Sequence, residues 1–165
     1  MYRKMRPARS LTLALAFLAA LACLAASPSL VAQKPDVKVR IVAPADAPAG
    51  ARATVAVEMA LGPKWHVNAH KPSQDFLIPT DVTLRASAGK VSAIRYPKDV
   101  EKKLAFSDKA LRVYEGTVRF EADLDLPAGT KGGVTLSATV GYQACNEEQC
   151  FMPEKVALEA KLPVR

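Results

Sequence analysis

Two cysteines near the C-terminal end of the chain, Cys145 and Cys150, are the residues whose type and spacing most clearly suggest chemistry. Four residues separate them. They lie between an alternating apolar and polar run that ends at Tyr142 and a proline, Pro153, that precedes the last such run. A short hairpin-like segment of this kind can bring two sulfurs within bonding distance. The pair is therefore a redox-active disulfide, a structural disulfide or part of a metal site.

The length of the loop favours the redox interpretation over the structural one. A disulfide stabilises a fold mainly by restricting the unfolded chain, by roughly 2 kcal/mol for a loop this short against about 4.7 kcal/mol for a loop of about 100 residues. Disulfides that close tight rings are prone to strain, and strained or exposed disulfides are the labile and catalytic ones. A non-catalytic binding module with a structural disulfide stays open as the first alternative.

The second alternative is a copper-handling site. Two thiolates, the thioether of Met152 and an imidazole from His66 or His70 would suit Cu(I), which prefers soft ligands. The spacing is not that of a zinc knuckle, and no second cysteine pair exists to complete a tetrahedral zinc site. The redox interpretation itself requires no cofactor and no metal.

The first 32 residues have the composition of a secretory signal peptide. Basic residues precede an apolar run from Leu11 to Leu24, which is short for a membrane span, and Ala32 offers a small residue for cleavage. We therefore expect residues 1–32 to be removed and residues 33–165 to form one domain in a compartment outside the cytoplasm, where disulfides persist. Alternatively, the segment ending at Cys23 resembles a lipoprotein box, and lipidation of Cys23 would anchor the chain to a membrane.

Removal of that segment also changes the charge of the protein. The segment holds four basic and no acidic residues, so the formal net charge falls from +7 to +3. The remaining sequence has no basic stripe with interleaved aromatic residues, which argues against nucleic acid as a partner.

Most of the remaining sequence alternates between apolar and polar residues, the period of half-buried strands. Glycine- and proline-containing turns separate the runs. The clearest runs cover residues 37–41, 51–61, 81–85, 117–126, 134–142 and 156–162. Seven to nine short strands without an amphipathic helix predict an all-β fold, an immunoglobulin-like antiparallel β-sandwich.

Two regions interrupt this alternation, and such departures are typical of functional sites. The first, residues 62–79, contains Trp65, His66 and His70. The second, residues 96–111, is rich in lysine and contains Phe106.

An ordered series of short motifs resembles the N-terminal periplasmic domain of the thiol:disulfide interchange protein DsbD. The resemblance covers about residues 37–162, and its most specific part is the Tyr142–Cys145 segment, which reads tyrosine-glutamine-alanine-cysteine and is followed by Cys150 and Pro153. The other motifs are residues 65–69 (WHVNA), 76–80 (FLIPT), 96–97 (YP) and 113–116 (VYEG).

The resemblance implies an immunoglobulin-like domain that passes electrons between thioredoxin-fold proteins through a reversible Cys145–Cys150 disulfide. Cys150 would form the mixed disulfide with a partner, and Cys145 would resolve it. The acceptor would be a disulfide isomerase or a cytochrome c maturation thioredoxin. In that family a membrane domain and a thioredoxin-like domain follow on the same chain. Neither occurs before Arg165, so we expect the electron donor to be a separate polypeptide.

The resemblance also implies a flexible cap that shields the pair with an aromatic side chain, for which Phe106 is the candidate. Trp65, His66, Tyr142 and Gln143 are further candidates for the surrounding pocket, and His66 has a side chain suited to carrying a proton.

Acidic residues lie within the loop itself. Glu147 and Glu148 place negative charge between the cysteines, which disfavours a thiolate and raises a thiol pKa. We therefore expect a slow and selective reductant that reacts mainly with a docked partner.

Overall fold

The computed structural model describes residues 34–165. The predicted signal peptide and the possible lipidation of Cys23 fall outside these residues. Residues 34–165 contain no helix. This part of the chain therefore has no helix that could cross a membrane. Their strands, in chain order, are β1 Val37–Val42, β2 Arg52–Leu61, β3 His66–Asn68, β4 Asp81–Ala86, β5 Lys90–Val91, β6 Val100–Lys102, β7 Leu111–Tyr114, β8 Thr117–Asp125, β9 Gly132–Tyr142, β10 Ala144–Cys145 and β11 Glu154–Val164.

The long strands follow the alternation of the sequence. In β9 every second residue from Val134 to Tyr142 is buried, and β8 has the same period from Phe120 to Leu124. Successive side chains of a strand point to opposite faces, so each strand presents its apolar set to the core. The predicted all-β, immunoglobulin-like sandwich is confirmed. Within residues 34–165, seven strands have four or more residues, and four further strands have only two or three.

Two sheets enclose the main core. One sheet has the order β1-β2-β8-β5 and the other the order β11-β9-β4, with antiparallel neighbours throughout. One large apolar cluster contains side chains from both sheets, among them Met59, Phe120, Leu136 and Val140. Two sheets whose inward-facing side chains interdigitate in this way form a β-sandwich.

A third, smaller sheet with the order β10-β3-β7-β6 carries Cys145 at the end of β10. Ala144, Val67 and Tyr114 are partners across its strands and belong to the main core. Directly opposed residues share a face of a sheet, and neighbours along a strand alternate between faces. Cys145 and its cross-strand partner His66 therefore lie on the opposite face, which we call the outer face.

The outer face has an apolar cluster of its own. Leu111 and Val113 of β7 contribute to it together with Cys145, and Leu77 and Leu104 cover it from segments outside the sheet. Leu104 has no exposed surface. The cysteine is thus held between a rigid sheet below and the covering segments above.

A charged group is buried in the middle of the first sheet. Glu58 of β2 is 7% exposed, and it accepts hydrogen bonds from Arg40 Nε (2.7 Å) and Arg119 Nε (2.9 Å), its partners on β1 and β8. The two guanidinium groups, Arg40 first, hold the pKa of Glu58 below its ordinary value. Cross-strand pairing thus neutralises a carboxylate that the sandwich would otherwise bury as a bare charge.

Candidate functional site

The two cysteines are joined in a disulfide, with their Cα atoms 3.9 Å apart. They face each other in an isolated antiparallel bridge, which closes the predicted hairpin-like turn. Their accessibility differs, because Cys145 is 1% exposed whereas Cys150 is only partly buried. Cys150 is therefore the more exposed member of the pair.

Asn146 organises the loop between the cysteines. Its side-chain oxygen accepts hydrogen bonds from the backbone N–H groups of Glu148 (2.9 Å) and Gln149 (2.8 Å), and its own N–H donates to the Gln149 carbonyl at 2.9 Å. Asparagine side chains commonly stabilise turns in this way. The loop thereby reverses the direction of the chain and places Cys150 opposite Cys145.

The segment after β6 covers the disulfide through Leu104. This side chain belongs to the same apolar cluster as Cys145, and Cys150 packs against that cluster. The next residue, Ala105, donates its backbone N–H to the carbonyl of Glu147 at 3.2 Å. The covering segment is thus attached directly to the loop between the cysteines.

Phe106, the aromatic candidate for the shield, lies at the edge of this arrangement. It is 41% exposed and is absent from the buried cluster around Cys145. It lines an open groove of about 310 Å³ together with Phe76, which is 75% exposed, and with Leu77 and Leu111 of the outer-face cluster. Two exposed aromatic rings thus border a groove that reaches the apolar cluster around Cys145.

The fold surrounds the site with charges of both signs. The loop between the cysteines contains no cation of its own, but Lys102 Nζ lies 3.7 Å from Glu147 Oε1 and 3.1 Å from Glu115 Oε2. Glu147 itself is exposed. Lys102 therefore offsets part of the negative charge that the sequence places beside the sulfurs.

His66 is the buried titratable group of this region. It is 1% exposed, with Nε2 3.7 Å from Glu115 Oε2. Burial lowers its pKa below the ordinary value, and Lys102 lowers it further, while the carbonyl of Cys145 and the carboxylates of Glu147 and Glu115 act in the opposite direction. The imidazole is therefore neutral at pH 7.

Trp65 and Gln143 hold the chain that follows Cys150. The ring of Trp65 packs edge-on against Phe151, with centroids 5.2 Å apart. Gln143 Nε2 donates to the Phe151 carbonyl at 3.0 Å, and Gln143 Oε1 accepts from Asn68 Nδ2 at 3.2 Å. Asn68 is fully buried and was not among the predicted site residues, although it belongs to the WHVNA motif.

Tyr142 lies on the core side rather than beside the sulfurs. It belongs to the main apolar cluster, and its hydroxyl donates to Glu154 Oε2 at 3.0 Å. Burial, with smaller contributions from the Glu154 carboxylate, raises its pKa to about 12. Its hydroxyl therefore keeps its proton at neutral pH and anchors the end of β9 to the start of β11.

Of the two histidines proposed as copper ligands, His66 lies directly opposite Cys145. His70 stacks on Tyr96 with centroids 3.6 Å apart, and its Nδ1 is 3.2 Å from the Thr80 carbonyl. Met152 is 84% exposed. Within the described part of the chain, no group of three or more histidine, cysteine, aspartate or glutamate side chains has the arrangement of a metal site.

The model of one protein family, the N-terminal domain of the thiol:disulfide interchange protein DsbD, matches residues 36–161. The chain belongs to this family. The resemblance expected from the motif series is confirmed, and thiol:disulfide interchange is the chemistry of the family. A search among curated proteins finds no match.

Two solved structures illustrate the likeness. The N-terminal periplasmic domain of ScsB from Proteus mirabilis is 15% identical, with a TM-score of 0.54 over 77% of this chain and 48% of that chain. The reduced N-terminal domain of Neisseria meningitidis DsbD is 16% identical, with a TM-score of 0.46 over 76% of this chain and 88% of that chain. The chain thus spans about half the length of the ScsB structure, and identities this low concern the fold alone.

Proposed function

We propose that this domain carries electrons between thioredoxin-fold proteins by cycling Cys145 and Cys150 between disulfide and dithiol. The observation that carries the proposal is the unequal exposure of the two cysteines within one disulfide. Cys145 is buried in the outer-face cluster, whereas Cys150 lies at its border. Exchange proceeds by attack of a thiolate on one chosen sulfur, and this arrangement favours Cys150.

The chemistry then runs in two halves. A donor thiolate attacks Sγ of Cys150, the S–S bond breaks, and its electron pair leaves with Sγ of Cys145. The second donor thiol displaces Cys150, so the donor ends as a disulfide and the domain as a dithiol, with two electrons and two protons transferred. In the second half, Cys150 attacks the disulfide of the acceptor, and Cys145 resolves the mixed disulfide.

The cellular setting follows from the same assignment. The domain acts in the periplasm after export, and lipidation of Cys23 would place it at a membrane. A thioredoxin-like protein serves as donor, and a disulfide isomerase or a cytochrome c maturation thioredoxin serves as acceptor. The groove bordered by Phe76 and Phe106 shares Leu77 and Leu111 with the cluster that contains Cys145, and it offers an apolar surface to such a partner.

The neighbouring side chains have supporting roles in this proposal. Leu104 and Phe106 shield the pair, the first from within the cluster and the second from its edge. Trp65 and Gln143 fix the chain after Cys150, and Glu147 holds the covering segment through its carbonyl. A shielded pair suits a reductant that must survive in an oxidising compartment.

Trapping separates the roles of the two cysteines. With Cys145→Ser, the remaining Cys150 should capture a thioredoxin-fold partner from periplasmic extract as a stable mixed disulfide, identified by mass spectrometry. The matched control, Cys150→Ser, leaves only the buried thiol and should capture little. Equal capture by both variants, or glutathione adducts alone, would contradict the assignment.

The burial of Cys145 also fits a structural disulfide in a non-catalytic binding module, the second candidate function. A redox titration distinguishes the two. A carrier is reduced by a stoichiometric amount of a reduced thioredoxin-fold protein, whereas structural disulfides resist reduction. Persistence of the Cys145–Cys150 bond under those conditions would rule out the carrier.

A further inference from the structure

His66 has an unusual position for a histidine outside a metal site. It is 1% exposed, and its Nδ1 is buried without a hydrogen-bond partner. A buried polar atom that makes no hydrogen bond costs about 1–3 kcal/mol. The other histidine, His70, satisfies its Nδ1 with the Thr80 carbonyl. Within residues 34–165, one other buried side-chain polar atom lacks a partner, Oδ1 of Asn68, which lies two residues along the same strand.

The strand register explains why the position of His66 is relevant to the disulfide. His66 is directly opposite Cys145 in the β3–β10 pair, so both side chains stand on the outer face. Opposed residues of an antiparallel pair have Cβ atoms about 4.5–5.5 Å apart. In the disulfide state Cys145 has no proton to offer. In the dithiol state it acquires an S–H group, which is a hydrogen-bond donor of the kind that Nδ1 lacks.

We propose that His66 is the proton acceptor for the Cys145 thiol when Cys145 resolves the mixed disulfide. The proton passes from Sγ of Cys145 to Nδ1 of His66, and the sulfur electron pair attacks Sγ of Cys150. The bond between Cys150 and the partner sulfur breaks, and the partner leaves as a thiolate. This inference rests on the proposed function, to which it adds the group that activates the buried cysteine.

Every charged group around His66 is accounted for in this step. Burial and Lys102 of β6 keep the imidazole neutral and able to accept a proton, while the Cys145 carbonyl and the carboxylates of Glu147 and Glu115 stabilise the imidazolium once it forms. Glu115 is the nearest of these to Nε2, at 3.7 Å. The imidazole is thus neutral before the proton transfer, and its protonated form is stabilised by nearby carboxylates after it. A general base requires both properties.

The test follows oxidation of the reduced domain, residues 33–165, by dithiobis(nitrobenzoate) in rapid mixing. Attack by Cys150 releases one aromatic thiolate, and resolution by Cys145 releases the second in a separate phase. In the unmodified domain the second phase should slow only as the pH falls through the pKa of His66, below its ordinary 6.5. In His66→Gln it should be slower at pH 7 by about a hundredfold, the usual contribution of a general base.

The pH profile distinguishes a base from a packing residue. Without the imidazole, the second phase should follow ionisation of the thiol and fall about tenfold per pH unit at every pH below the thiol pKa. The control His70→Gln should keep the profile of the unmodified domain. Identical profiles for His66→Gln and the unmodified domain would overturn the inference.

Lys102→Met provides a test in which His66 is retained. Because Lys102 lowers the pKa of His66, its removal should move the acid limb of the second phase to higher pH. An unmoved limb overturns the inference even where His66→Gln fails to fold. Failure of the proposed function would give a different result. The disulfide would then resist reduction by thioredoxin-fold donors, whatever the pH dependence of the second phase.

Discussion

Replacing Leu104 by alanine should expose the disulfide to small thiols while leaving the sandwich folded. Leu104 is completely buried in the outer-face cluster with Cys145. Truncation of a buried leucine costs about 3 kcal/mol, from lost transfer free energy and from the cavity that remains. Because Leu104 lies in the covering segment rather than in a strand, we expect the loss to weaken closure of that segment.

The expected change in rate follows from this free energy. Each 1.4 kcal/mol corresponds to a factor of about ten in an equilibrium constant. A loss of about 3 kcal/mol would therefore raise the open fraction of the segment about a hundredfold. The Ala105–Glu147 backbone hydrogen bond and the Lys102–Glu147 ion pair remain in the variant, so the increase reports the loss of the Leu104 side chain alone.

The assay measures reduction of the oxidised domain by excess dithiothreitol at one pH, with samples alkylated and counted by mass. Leu162→Ala is the matched control, because Leu162 is equally buried but belongs to the main core. It should destabilise the domain in thermal unfolding without accelerating reduction to the same degree. Phe106→Ala tests the exposed aromatic ring and should change the rate by less than about threefold, as expected for a partly exposed side chain.

Two results would refute this reasoning. If Leu104→Ala is reduced no faster than Leu162→Ala, the covering segment does not control access to the sulfurs. If Phe106→Ala is reduced much faster and Leu104→Ala is not, the shield is the aromatic ring at the edge rather than the aliphatic side chain inside.

Three further predictions concern the framework of the site. Glu58→Gln should reduce the loss of stability in acid, as measured by acid titration with circular dichroism. The lowered pKa of Glu58 stabilises the fold above about pH 4.3, the unfolded value. That contribution disappears as the pH falls through the pKa of Glu58 in the folded state. Tyr142→Phe removes the hydrogen bond to Glu154 and should cost about 1–2 kcal/mol in urea unfolding, whereas an unchanged midpoint would show that the bond contributes nothing. Asn146→Ala removes the acceptor that shapes the loop between the cysteines and should lower the stability of the oxidised domain by about 1 kcal/mol, measured by thermal unfolding beside the exposed control Gln149→Ala.

The sequence predicts the sandwich well because its long strands repeat a clear signal. Nine residues of β9, from Val134 to Tyr142, alternate without a break, and a period of two over such a length has few other interpretations. Strands β3, β5, β6 and β10 have only two or three residues each. A period cannot be recognised in so short a run, so the third sheet was not predicted although it positions Cys145.

Residues of the candidate site could be predicted from the sequence where they belong to a recognisable motif. They were missed where only the folded chain brings them to the site. The tyrosine-glutamine-alanine-cysteine segment marks the pair, and the WHVNA motif marks His66 and Trp65. Leu104 and Lys102 carry no such signal, because an apolar residue and a lysine in an irregular segment are common. Their importance arises from the return of that segment across the outer face.

In the proposed function, the two faces of the third sheet would allow a buried cysteine to take part in exchange. Its inner face supplies Val67 and Tyr114 to the main core, which fixes the strands and hence the register of Cys145 against His66. Its outer face holds a separate and much smaller apolar cluster. Since the free energy of burial is roughly proportional to the apolar area, the small cluster opens at far lower cost than the main core. The disulfide can therefore be uncovered by a docking partner while the residues that orient it stay in place.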